Sequence, residues 1–129
     1  MVSSLDKGAP YLRPQAAELA RRLAEPRRFI QVVAGPRQVG KSTLVAQAVE
    51  ALPVPVRVVS ADEPSLRGPE WIAAQWEAAR LETGPAGAIL VIDEVQEAAG
   101  WSESVKRLWD EDSRTRLPLR VVLLGSAPL

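Results

Sequence analysis

An α/β fold built on a parallel sheet covered on both faces is what this sequence predicts, and three observations predict it. Four short, β-branched apolar runs are separated by segments of helical periodicity. A glycine-rich loop sits where the first run gives way to a helix, and the third run is cut off by two acids. Strands that alternate with helices pair in parallel, and their connections cover the sheet above and below.

Taken in order, "MVSSLDKGAPYLRP" carries no signal-peptide stretch and reads as an extended lead-in. Pro14 suits a first helical position, and Ala16, Leu19, Ala20 and Leu23 recur at helical spacing until Pro26. "FIQVVAG" (29–35) is the first strand. "KSTLVAQAVEAL" is a helix with Leu44, Val45, Ala48, Val49 and Leu52 on one face, and "VPVRVVS" (54–60) is the second strand, its start restricted by Pro55. Pro69 opens a helix that buries Ile72, Trp76 and Ala79 and ends at Gly84 and Pro85. "GAILVIDEVQ" (87–96) is the third strand, Trp101, Val105, Leu108 and Trp109 mark a further helix, and "LRVVLLG" (119–125) is the fourth strand. Trp76 and Trp109 are expected in the core, Trp71 and Trp101 partly exposed, and Arg114, Arg116 and Arg120 in a solvated loop.

Composition narrows the chemistry. The chain has 129 residues, enough for one domain, with 16 basic and 16 acidic residues and neither cysteine nor histidine. Disulfides, thiolate or imidazole metal sites and Ser-His triads are therefore excluded. A metal here must be a hard cation on oxygen ligands, which points to Mg²⁺. The balanced charge gives no footprint for nucleic acid. No apolar run is long enough to span a bilayer, so a cytoplasmic protein with no membrane partner is expected.

"GPRQVGKST" (35–43) matches G-x-x-x-x-G-K-[ST] at Gly35, Gly40, Lys41 and Ser42. A loop leaving a strand for a helix can wrap a phosphate only if its N–H groups turn inward, which demands glycine where φ is positive or a Cβ would clash. The helix start adds unpaired N–H groups and the positive end of its dipole. Lys41 then reaches the β and γ phosphates, Ser42 ligates Mg²⁺, and Thr43 is placed for the α phosphate. The intervening Pro36, Arg37, Gln38 and Val39 contribute backbone. Arg37 either pairs with a phosphate or projects outward. A chance match in a chain of this length has a probability of roughly half a per cent on ordinary residue frequencies, and an ordinary glycine-rich turn is the weaker alternative.

Asp93 and Glu94 end the third apolar run, where ligands of open α/β sheets bind. Beside a phosphate loop, Asp93 is suited to hold Mg²⁺ and Glu94 to orient or activate a water for attack on the γ phosphate. Two acids that merely end a strand and face water are the alternative. Gln96 contacts the same water or lies at the surface. Ser126 touches the γ phosphate or the attacking water, or is a polar turn residue.

With these motifs in place, "GPRQVGKST", "VIDEVQ" and "VVLLGSAP" resemble the AAA+-related P-loop ATPases of bacteria and archaea, from about Arg27 to the last residue. The resemblance implies a P-loop NTPase three-layer sandwich of sheet order 5-1-4-3-2, with Asp93 as the Walker B metal residue, Glu94 as the catalytic glutamate and Ser126 at the sensor-1 position. It divides the chain into an N-terminal extension and helix (1–26) and a partial ATPase core (27–129). Relatives continue into a fifth strand and a lid, so the chain is expected to be a truncation after strand four. Its first strand is then an open sheet edge available for self-association or a partner protein, and turnover is expected to be slow. The function so read is Mg²⁺-dependent ATP hydrolysis. The alternatives are a catalytically inactive nucleotide-binding or interaction fragment and, ranked lower, a P-loop kinase.

Overall fold

The computed structural model describes residues 14–35, 40–62 and 68–126. Four helices and four strands run in the order α1 (Pro14–Ala24), β1 (Gln31–Gly35), α2 (Lys41–Glu50), β2 (Val56–Ser60), α3 (Pro69–Glu82), β3 (Ala88–Asp93), α4 (Trp101–Thr115) and β4 (Leu119–Ser126). A single 3₁₀ turn, Val95–Glu97, lies between β3 and α4. The strands form one sheet in the order β1-β4-β3-β2, every neighbouring pair parallel.

The alternation of side chains along the two inner strands builds the layers. Ile89 and Val91 of β3 and Val122 and Leu124 of β4 face α1 and α2, where Leu19, Leu23, Val45, Ala48 and Val49 meet them. Leu90 and Ile92, with Val121 and Leu123, face α3 and α4 and pack on Ile72, Trp76, Val105 and Leu108. Because β3 and β4 are covered on both sides, their sequences are apolar without a break. The outer strands tolerate exposure: Val32 of β1 is 56% exposed and Val58 of β2 is 64% exposed.

The boundaries of β1, β2 and β3 differ from those read off the sequence. β1 begins at Gln31, and Phe29 lies outside it and exposed. β2 begins at Val56, one residue past the Pro55 that cannot donate to a ladder. β3 stops at Asp93 because Glu94 turns into the left-handed region, φ 51° and ψ 47°, and the chain coils into the 3₁₀ turn. The entry to β3 is equally sharp: Gly87, at φ 105°, donates its N–H to the Gly84 carbonyl at 2.9 Å. An added Cβ at Gly87 would lie 2.7 Å from the Pro118 carbonyl oxygen, so glycine is required there.

Polar contacts fix the α3–α4 layer. Trp76, fully buried as expected, donates its indole N–H to Asp112 Oδ2 at 2.7 Å. The Arg80 Nε lies 2.8 Å from Asp112 Oδ1, and Arg80 also donates to Glu111 at 3.0 Å. Burial works against the Arg80 charge, but Glu111, Asp112 and Glu77 outweigh it and raise its pKa. Trp109 is half-buried and packs against the edge of the same core. The Arg27 guanidinium stacks on its ring at 3.4 Å and donates to the carbonyls of Leu119 and Trp109 and to the Ser113 hydroxyl. Arg120 is also no loop residue. It lies on β4 and donates to the Glu25 carbonyl at 2.8 Å, while Arg116 caps α4 with φ 59°.

Candidate functional site

Parallel strands end together. Gly35 of β1 is the register partner of Ser126 on β4, and Asp93 of β3 is the partner of Ser60 on β2. The last residues of all four strands therefore lie along one edge of the sheet, with the start of α2 above it.

The glycine loop enters from Gly35. Pro36, Arg37, Gln38 and Val39 lie outside the described residues. Gly40 precedes α2 with φ 72° and ψ 34°, a conformation that costs a residue with a Cβ on the order of 1 kcal/mol. Its carbonyl accepts the N–H of Leu44 at 3.0 Å, closing the first turn. Gly40 offers this helix no side-chain cap, and a helix start carries the positive end of its dipole.

Lys41 is only 6% exposed, and its ammonium donates to the Gly35 carbonyl at 3.1 Å. The charge is thus drawn back across the mouth of the loop. Ser42 and Thr43 are exposed on the first turn of α2. The Ser42 hydroxyl lies 3.3 Å from Asp93 Oδ2, bringing the loop and the end of β3 into contact across β4. A hydroxyl and a carboxylate side by side are hard oxygen donors of the kind an octahedral cation such as Mg²⁺ takes. Among the described residues no three acidic side chains cluster as a self-sufficient metal cage.

Glu94 follows Asp93 but points elsewhere because its backbone is left-handed. It is 7% exposed. Its Oε1 accepts from the Gln96 side-chain amide at 2.6 Å and from the Ser126 hydroxyl at 3.2 Å. Sequence reasoning left Gln96 open between surface and site; the structure places it against Glu94. Its half-buried position follows from the 3₁₀ turn, which folds residue 96 back over residue 94.

An open groove of about 490 Å³ runs from Lys41 along β1 to α1, lined by Gln15, Leu19, Val33 and Leu44 among others. The same end of the fold therefore brings together the start of α2, the buried Lys41, the Ser42–Asp93 oxygen pair and a second carboxylate held apart from the first. No helix among the described residues is long and apolar enough to cross a membrane.

A family model described as an AAA domain matches residues 27–129. Among solved structures, the chain is similar to the RuvB Holliday junction branch migration motor of Thermotoga maritima, at 25% identity and a TM-score of 0.51. The likeness covers 85% of this chain and 33% of the RuvB chain, so the chain spans about a third of that protein's length. No curated protein matches it.

Proposed function

The chain belongs to the AAA-domain family, a nucleotide-binding domain of the AAA ATPase type, and from that membership we propose that it binds ATP with Mg²⁺ and hydrolyses it to ADP and phosphate. The observation that carries the proposal is the 3.3 Å contact between Ser42 and Asp93, which joins the phosphate loop to the acid of β3.

In this reading the backbone of residues 35–43 and the start of α2 wrap the phosphates. Lys41 exchanges its bond to the Gly35 carbonyl for the β and γ phosphates. Ser42 and Asp93 hold Mg²⁺, which neutralises charge that develops on the phosphates. Glu94 orients a water and accepts its proton as the water oxygen attacks the γ phosphorus and the bond to the bridging oxygen breaks, releasing ADP. In the same reading Ser126, hydrogen-bonded to the same carboxylate, reports on the γ phosphate.

Calorimetric titration of MgATP into the 129-residue chain tests binding. Saturable heat that disappears in Lys41→Ala is expected, and equal heats from both proteins would reject the phosphate site. Phosphate release tests hydrolysis. It is expected to vanish in Glu94→Gln, and release that survives that change removes Glu94 from the reaction.

A further inference from the structure

The Glu94 carboxylate is not positioned by its own backbone alone. Two donors from different elements meet on one of its oxygens: the Gln96 amide from the 3₁₀ turn at 2.6 Å and the Ser126 hydroxyl from the end of β4 at 3.2 Å. The shorter bond is charge-assisted, with an amide N–H donating to a carboxylate. The turn that makes it possible is unfavourable in itself, since Glu94 is one of two non-glycine residues with positive φ among those described. The Gln96 amide is also left with its own oxygen buried and without a hydrogen-bond partner. Turning that amide over would set its oxygen against the Glu94 carboxylate, so the observed orientation is fixed by repulsion as well as by attraction. A left-handed acid and an orphaned amide acceptor two residues apart are unfavourable features that folding alone does not demand. They are the kind of local cost that surrounding structure sustains where a side chain must be held in one place.

We propose that Gln96 is a positioning residue that locks the Glu94 carboxylate in place for hydrolysis, with Ser126 as the second point of the lock. The inference rests on the hydrolytic reading of Glu94. Gln96 itself touches neither nucleotide nor metal. Its amide fixes which Glu94 oxygen it engages and so sets the rotation of the carboxylate. The lock also ties the end of β4 to the turn after β3, so a shift of Ser126 is felt at Glu94.

The test combines kinetics with a spectroscopic readout that needs no turnover. Gln96→Ala is expected to lower kcat roughly tenfold to a hundredfold, the range for removing a partner that orients a functional ligand, with the Kd for MgATP unchanged. Placed on a Glu94→Gln background, Gln96→Ala is expected to have no further effect, because the residue acts through Glu94. In nucleotide-free protein, one side-chain amide proton of Gln96 should resonate well downfield of ordinary glutamine and return to the ordinary range in Glu94→Ala. If Glu94→Gln abolishes phosphate release while Gln96→Ala keeps wild-type kcat, the lock is refuted and the hydrolytic reading stands. If Glu94→Gln releases phosphate as fast as the wild type, the hydrolytic reading fails and the proposal falls with it. An ordinary Gln96 amide resonance in the wild type also overturns it, whatever the kinetics.

Discussion

The hydroxyl of Ser42 lies 3.3 Å from Asp93 Oδ2, although the two residues are 51 positions apart in the chain. Asp93 thus has a ready oxygen neighbour before any cation arrives. Asp93→Asn keeps the shape and removes the charge. It is expected to weaken MgATP binding roughly tenfold to a hundredfold, as loss of a metal-orienting group commonly does. ATP titrated in EDTA should bind wild type and variant alike. Equal loss with and without Mg²⁺ would mean that Asp93 supports the fold of the site and not the metal.

The bond from Trp76 to Asp112 is the least replaceable polar contact in the core. Asp112 is 2% exposed and holds both the indole of α3 and the Nε of Arg80. Asp112→Ala would leave the buried indole N–H without its acceptor and would take from the Arg80 guanidinium one of its three acidic partners. The expected cost is about 3–5 kcal/mol, as for removing one partner of a buried ion pair. Urea unfolding followed by tryptophan fluorescence measures it. A loss under about 1 kcal/mol would show that the pair behaves as a surface bridge.

Arg27 ties the segment before β1 to α4 and β4 through its stack on Trp109 and three hydrogen bonds. Burial lowers its pKa, yet the flat guanidinium matches a ring face and several carbonyls at once. Arg27→Lys is therefore expected to destabilise the fold nearly as much as Arg27→Ala, by about 2 kcal/mol. Full recovery of stability with lysine would reduce the role of Arg27 to its charge.

Acid should loosen the helices in a definite window. Hydrogen bonds from Arg21, then Arg22, hold the Glu18 carboxyl down at about 2 against an ordinary 4.5. Arg80, foremost, likewise holds the Glu111 carboxyl below its ordinary value. A depressed carboxylate pKa adds stability that is fully present above the unfolded value and lost as pH falls through the folded one. For Glu18 the window runs from 4.5 down to about 2. Thermal unfolding across that range is expected to fall less steeply in Glu18→Gln than in the wild type. Because the Glu18 pairs are exposed, 1 M salt should shrink the difference.

The sheet was legible because β3 and β4 are buried on both faces and so read as unbroken apolar runs. The acids at 93 and 94 stood out because nothing in a buried strand calls for them. The turn at Glu94 was hidden: Val95 is as apolar as the strand before it, and no glycine marks the positive φ. The partners of Asp112 and Arg27 were hidden for another reason. Both are polar residues whose contacts lie on elements far away in sequence, where periodicity carries no information. Trp109 packs against the core as its apolar stripe suggested, but the cation stacked on its ring was not legible.

The position of β4 between β1 and β3 also governs when the site comes into being during synthesis. β1 pairs with no strand but β4 among those described, and β4 is the last of them to leave the ribosome. Until then the strand bearing the phosphate loop has no ladder to join, while β2 and β3 can already pair. The loop and the acids are thus made early but kept apart, and the late insertion of one central strand assembles both halves in a single step. Such a long-range closure is slow. Until β4 arrives, the edge of β3 that it will cover is left open to a competing strand.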